Sequence, residues 1–365
     1  MAPAEILPSN NSNDKSKSIV TIDNNYENER RPLLSTISIN NNDINNRNVK
    51  SEVIGLLLMA ICAFAFASMT LFVKLSGSSF PSFEIVFARS LIQTVLGLFA
   101  CFYMGINPLG NRSIRPWLVF RGVIGGLALA LNFYAVTHLP LADATVIMYL
   151  NPIFTTILAA LVLSEPFYLF EGICVISCFT GALLVVKPEF MFGVSSNNDV
   201  PSLGHGHQEK EERGFAVLVA LAGAFLSAVA YCTIRKVGNA AHFLVLTIYF
   251  GVVGILISIP PLLTFQTFVQ PKKWSEYCML FMTGITAFIG QCLLSKGLQL
   301  APAGPSSMIR MLEVVLAFLF GILIFEEYPD WLSILGSVII VGTTTVLASR
   351  KWKSVNEARR RIMRR

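Results

Sequence analysis

The sequence predicts an all-α integral membrane protein with ten transmembrane helices, built as two inverted five-helix repeats. Three observations carry this. Only 14% of the 365 residues are charged and 54% are apolar, whereas a soluble domain carries about 25% charged residues. Between residues 53 and 349 the apolar residues fall into ten runs of about 20, the length at which a helix crosses a hydrocarbon core of about 30 Å. The last five runs repeat the first five at an offset of 161 or 162 residues.

The elements follow in order. Residues 1–52 are polar and rich in Asn and Ser, with Asn runs at Asn40 to Asn42 and at Asn45 and Asn46. They lack an apolar h-region, so the first span is expected to serve as the insertion signal. Their composition is that of a disordered cytosolic tail. Spans are expected at 53–74, 83–105, 116–137, 142–163 and 167–186, which together make the first repeat, 53–187. Turn chemistry separates them: Ser76 to Pro81 after the first, Asn107-Pro108-Leu109-Gly110-Asn111 after the second, Ser164-Glu165-Pro166 after the fourth. A polar linker, 188–213, holds Pro188, Pro201 and Gly204. The second repeat, 214–349, has spans at 214–234, 242–265, 276–297, 303–325 and 331–349, and a basic cytosolic tail follows at 350–365.

One offset holds across every element. Val73-Lys74-Leu75-Ser76-Gly77 matches Ile234-Arg235-Lys236-Val237-Gly238, and Tyr149-Leu150-Asn151-Pro152-Ile153 matches Met311-Leu312-Glu313-Val314-Val315. Leu163-Ser164-Glu165 matches Phe325-Glu326-Glu327, while Gly122, Pro140 and Gly181 match Gly284, Pro302 and Gly342. Five spans per repeat is an odd number, so the second copy enters the bilayer upside down, as in secondary transporters. Six Lys or Arg in the N-terminal tail and eight from Arg350 onward place both tails in the cytosol. The loops alone do not show this bias, since loop 187–213, expected outside, carries Lys187, Lys210 and Arg213.

Several function classes drop out. The net charge of +6 arises in the tails and does not point to nucleic acid; beside a membrane helix such a cluster anchors on anionic lipid. The seven cysteines all fall inside apolar runs, without a CxxC, and read as buried thiols rather than disulfides or metal ligands. Neither a GxSxG, nor an HExxH, nor a phosphate-cradling loop is present, and no cofactor or metal is expected. Gly204-His205-Gly206-His207 reads as polar loop. Asn10-Asn11-Ser12 and Asn111-Arg112-Ser113 fit the glycosylation sequon but lie on the expected cytosolic side.

At this point the chain resembles a known family. Arg121-Gly122-Val123-Ile124-Gly125-Gly126, Asn132-Phe133-Tyr134-Ala135, Leu139-Pro140-Leu141-Ala142-Asp143-Ala144, Leu150-Asn151-Pro152 and Leu163-Ser164-Glu165-Pro166, with Gly172 and Gly181, are similar to the EamA-type domain of the drug/metabolite transporter superfamily. The second half repeats the pattern more loosely. Within the superfamily the resemblance is nearest to the G-type branch of solute carrier family 35, and it covers 297 residues, 53–349. It implies ten helices, cytosolic termini and alternating-access transport of a small organic solute, without implying which solute. Two departures make the halves chemically unequal: Glu313-Val314 stands where many relatives carry Glu-Pro, and Tyr249-Phe250 occupies the position of Ala88-Arg89.

Ionisable side chains inside the bilayer cost at least about 2.5–3.5 kcal/mol each, which makes them the default site candidates. Arg310 and Glu313 lie mid-span and three apart, so they share a helix face that Ser306 extends. Arg310 is expected to hold an anionic group of the solute with Glu313 positioning it; the alternative is a buried pair that locks two helices. A proton-carrier role for Glu313 is disfavoured, because a nearby Arg favours the ionised carboxylate. In the matching fourth span stand Thr145, Tyr149 and Asn151-Pro152, and Pro152 frees the carbonyl of residue 148 to face a cavity or simply kinks the helix. Arg89 reads as a cavity-facing cation or as a partner of Glu84, and Lys296 as a cavity residue or a snorkelling one. Tyr134, Asn132, Gln291 and Ser295 are compatible with wall positions. Glu165, Glu171, Glu326 and Glu327 read as helix-end groups, and Gly122 with Gly126 as a packing GxxxG.

The expected function is thus secondary transport of a small organic solute, with an anionic metabolite favoured by the excess of Arg89, Lys296 and Arg310 over Glu313. The substrate-binding set is Arg310, Glu313, Asn151, Tyr149, Arg89 and Lys296. Two other classes compete: a membrane acyltransferase using His138 and Asp143, and a sensor or channel, for which no charged ring or filter is seen. Glu29-Arg30-Arg31-Pro32-Leu33-Leu34 fits an acidic dileucine signal for sorting adaptors, pointing to an endolysosomal or vacuolar membrane, with Golgi, endoplasmic reticulum and plasma membrane as alternatives.

Overall fold

Apolar runs with no water to satisfy their backbone must close their hydrogen bonds internally, and the computed structural model does so with helices. It describes residues 27–77, 79–139, 141–165, 168–187, 206–264, 269–326 and 330–363; for 27–49, 141, 206–213, 351 and 354–363 it describes the backbone alone. Two units are separated, residues 1–47 and 48–365; within the first, residues 27–47 are helical. The regular elements are α1 (Glu27–Ser76), α2 (Ser82–Tyr103), α3 (Arg115–His138), α4 (Leu141–Met148), α5 (Asn151–Val162), α6 (Leu169–Val186), α7 (Gly206–Val237), α8 (Phe243–Thr264), α9 (Trp274–Leu300), α10 (Ala303–Arg310), α11 (Leu312–Phe325) and α12 (Trp331–Met363). Two short 3₁₀ turns, Arg112–Ile114 and Gly238–Ala240, complete them.

Ten helical stretches among the described residues are long and apolar enough to span a membrane, beginning with Lys50–Ser76 and ending with Trp331–Arg350. This is the multi-pass architecture the hydropathy predicts. Three helices outrun their expected bounds: α1 begins at Glu27 rather than 53, α7 at Gly206 rather than 214, and α12 runs past 349 to Met363. The polar composition of 27–52, 206–213 and 350–363 argued against helix there. A membrane span supplies the costly helix nucleus, however, and each added residue then gains a backbone bond.

The repeat is visible in the backbone. The fourth span is α4 plus α5 and the ninth is α10 plus α11, and the first pieces, Leu141–Met148 and Ala303–Arg310, are both eight residues long at an offset of 162. The turns that end these spans match as well: Ser164 and Glu326, again 162 apart, both take the left-handed conformation with φ of 52° and 54°.

The two repeats interlock, helix against helix: α2 packs on α8 and α9, α3 on α7 and α8, α5 on α7 and α10, and α6 on α12. Small residues set the close approaches. A Cβ on Gly55 of α1 would meet Ala301 at 2.7 Å, and one on Gly181 would meet the Gly336 carbonyl at 2.8 Å. Gly181 thus packs on Gly336, not on its repeat mate Gly342, which has open space around it. The Gly122/Gly126 pair does face a neighbouring helix: Cβ atoms there would meet the Tyr249 carbonyl at 3.0 Å and Val253 at 2.6 Å. Gly126→Leu is therefore expected to force α3 and α8 apart, costing about 1–3 kcal/mol or more. Thermal unfolding in detergent checks this, with Gly342→Leu expected to melt like the parent.

Candidate functional site

The candidate site forms where the two broken spans come close to the centre. In the first repeat Pro152 has no N–H to give to the carbonyl of Met148, and the chain tightens instead, with the Leu150 N–H donating to the Ile147 carbonyl at 3.1 Å. In the second repeat Val314 stands in place of the proline, yet the same tightening occurs: the Met311 N–H donates to the Met308 carbonyl at 2.9 Å. The break residues Leu150 and Met311 have nearly equal dihedrals, φ −70°, ψ −14° and φ −62°, ψ −13°.

These breaks put opposed helix ends inside the membrane. Arg310 is the last residue of α10 and Glu313 the second of α11, so the cation sits at a negative helix end and the carboxylate at a positive one. They form an ion pair of 3.0 Å, with 27% and 14% of their side-chain surface accessible. The Arg310 Nη1 donates to the Tyr231 hydroxyl. Its guanidinium lies 4.6 Å from the centre of the Phe66 ring and 5.7 Å from that of Tyr231. Nε of Arg310 has no hydrogen-bond partner among the described residues. Residues 303–309, leading up to it, are all buried.

Tyr149, at the facing break, lies within electrostatic range of both Arg310 and Glu313. Asn151 is buried, and its side-chain oxygen accepts from the Thr155 hydroxyl at 2.7 Å. The structure thus gathers Arg310, Glu313 and Tyr149, while the Asn151 side chain, two residues beyond Tyr149, is bonded within its own helix. Arg89 is 7% exposed, and its Nη1 reaches the Met69 sulfur at 3.5 Å while Nε is unpartnered. The expected alternative pairing with Glu84 is not the arrangement seen: that carboxylate accepts the Val269 N–H at 3.0 Å. Lys296 is not brought to the pair. It lies beside Phe243, 6.0 Å from the ring, because only four residues separate it from the end of α9. Tyr134 is likewise peripheral, stacked on His138 at 4.0 Å. Asn132, Gln291, Ser295 and Ser306 each bury a polar atom without a partner among the described residues.

Three residues escaped the sequence reading. Tyr231 and Phe66, which hold Arg310, are aromatic residues in apolar runs and carry no polar signal. Arg121 was read only as part of a motif, although a guanidinium seven residues into α3 was itself a signal. It is 2% exposed, lies 5.0 Å from the centre of the Phe250 ring, and leaves Nε and Nη1 unpartnered.

A second polar cluster ties the helix ends on one side of the molecule. Arg235 Nε donates to Glu165 at 2.8 Å and its Nη1 to the Gln299 carbonyl at 3.1 Å. The other Glu165 oxygen accepts the Ala303 N–H at 3.0 Å, capping the start of α10, and the Gln299 amide donates to the Ala241 carbonyl at 2.9 Å. Glu165 is therefore a junction between spans four, six and nine rather than a solvated cap. On the opposite side, Lys187 pairs with a half-exposed Asp330 and holds its carboxyl below the usual range.

Competing motifs gain little. His138 turns Nδ1 back on its own helix, 2.9 Å from the Tyr134 carbonyl and from the Thr137 hydroxyl. The dileucine side chains, Gly204-His205, Asn10 and Pro140 lie outside the described residues. Among the described residues no three His, Cys, Asp or Glu gather as metal ligands.

Comparison with known proteins adds to this geometry. The model of the EamA-like transporter family matches residues 53–187 and 214–349. The chain is 29% identical over 299 residues to human solute carrier family 35 member G1, covering 82% of this chain and 80% of that protein. It is 31% identical over 300 residues to the pseudopaline exporter of Pseudomonas aeruginosa, covering 81% and 96%. It is 25% identical over 305 residues to the S-adenosylmethionine uptake transporter of Rickettsia prowazekii, covering 82% and 95%. A solved crystal structure superposes with a TM-score of 0.68 at 18% identity, over 82% of this chain and 99% of that one, which shows a shared fold.

Proposed function

Because this chain belongs to the EamA-like transporter family, we propose that it is a membrane transporter that carries a small anionic organic solute by alternating access. The observation that supports this most is Arg310: a partly accessible guanidinium at a helix break, with an unsatisfied Nε, deep in a membrane span. Charge balance points the same way. Arg89, Arg121 and Arg310 lie well inside their helices or at a mid-span break, and Glu313 is the carboxylate among them. The buried acids Glu84, Asp143 and Glu171 each sit in the first turn of their helix.

Solute would bind between the two breaks, against Arg310 and Tyr149, with its anionic group joining Glu313 on the Arg310 guanidinium. Such sharing leaves both Arg310 and Glu313 paired throughout, which avoids the cost of an isolated charge in the membrane. A solute drives the two five-helix halves between states only by binding them unequally. The relatives named for exporting pseudopaline and for taking up S-adenosylmethionine fit a small-molecule cargo. The Glu29–Leu34 signal supports an endolysosomal or vacuolar membrane.

Uptake into liposomes holding the purified chain tests the reading. A panel of carboxylates, nucleotide sugars, amino acids and neutral sugars is expected to show saturable uptake of an anionic member. Uptake confined to neutral or cationic members would end the anion assignment and leave the transporter assignment standing.

A further inference from the structure

We propose that Arg121 is a second anion-binding group of this site, and that the solute carries two anionic groups, one for each arginine. The proposal rests on the reading of Arg310 as the first such group. Two guanidiniums flank the Tyr231 helix: Arg310 donates to the Tyr231 hydroxyl, and Arg121 stands on α3, which packs along α7, the helix that carries Tyr231. Tyr231 is neutral and accepts from one of them. Glu313 neutralises Arg310, which leaves Arg121 with an aromatic face at 5.0 Å and two unpartnered nitrogens in a 2% exposed position. A charge so placed is expensive unless something pairs with it, and a second carboxylate or phosphate on the solute does so.

The backbone reserves the place. A Cβ on Gly125, one turn along α3, would collide with Arg121 Nη1 and meet Phe250 at 3.0 Å. Glycine there is what leaves room for the guanidinium beside Phe250 of α8. Because both arginines are fixed on different helices, a solute with one anionic group satisfies only one of them. A solute with two bridges them and draws α3 and α10 into one unit around Tyr231.

Thermal stabilisation of the purified full-length chain, read against paired acids, tests this. Dicarboxylates of three to six carbons are matched with monocarboxylates of equal length, and phosphoglycerate with glycerate. The wild-type protein is expected to respond to a di-anion at concentrations at least tenfold below those of its mono-anion. Arg121→Met keeps the packing of the stem and is expected to erase that advantage while leaving the mono-anion response in place. Gly125→Ala, which displaces the guanidinium without removing it, is expected to do the same. Arg310→Ala is expected to lose both responses. A di-anion advantage that survives both Arg121→Met and Gly125→Ala would overturn the role of Arg121 and spare that of Arg310. An unliganded Arg121→Met protein that melts far below the parent would make Arg121 a structural cation and likewise overturn it. No response of the wild type to any anion would overturn both readings together.

Discussion

Arg310→Ala is expected to reduce transport by about 10²- to 10⁴-fold. Two charge-assisted hydrogen bonds to an anion contribute about 1.5–3 kcal/mol each, and each 1.4 kcal/mol is tenfold in affinity. The same change strands Glu313, whose ion pair is 14% accessible on the acid side, and removing one partner of a buried pair is strongly destabilising. Activity and stability must therefore be separated. The double variant Arg310→Ala/Glu313→Ala is expected to melt closer to the parent and still not transport. Rescue of uptake in the double variant would show that the arginine only neutralises Glu313. Uptake and melting on the same three preparations decide this.

The second large effect is expected at the Glu165 junction. Glu165→Ala removes the partner of Arg235 and the cap on Ala303 at once. Hydrogen bonds to charged groups contribute about 1.5–3 kcal/mol each, so losing two should raise local opening of this end by about 10²- to 10⁴-fold. Cys232 reports it. It lies one turn before Arg235 and is 5% exposed, so its alkylation requires opening. Peptide mass spectrometry after a timed maleimide pulse is expected to show Cys232 labelled at least tenfold faster in the variant. The exposed Cys278 provides the unchanged control. Equal Cys232 rates would mean that the junction does not hold this end shut.

The fold was legible because membrane insertion leaves its mark on one-dimensional composition: span length, turn chemistry and repeat offset are all written along the linear chain. The Arg310–Glu313 pair was legible for the same reason, since three-residue spacing on a helix dictates proximity. What surrounds that pair was not. Tyr231 and Phe66 come from helices more than 75 residues away along the chain, and an aromatic side chain in an apolar run looks the same whether it meets lipid or a guanidinium. Lys296 and Arg89 show the converse. Their charge marked them as candidates, but the rotation and depth of each helix decide what a charge touches, and composition holds neither. The helical extensions of α1, α7 and α12 were missed because polar composition measures burial rather than helix propagation.

The bonds of Arg235 carry one more consequence. The offset of 161 to 162 residues maps Glu165, Arg235, Gln299 and Ala303 onto Glu327, Lys74, Thr137 and Leu141. If the halves exchange conformations during the cycle, the opposite face must close with a lysine where this face uses an arginine. A guanidinium fork grips a carboxylate and a carbonyl together, as Arg235 does here, whereas an ammonium is a single point charge. The two shut states are then unequal in energy before any cargo arrives. The empty carrier is expected to idle with the Arg235 face closed, a bias that the rate of Cys232 alkylation measures directly.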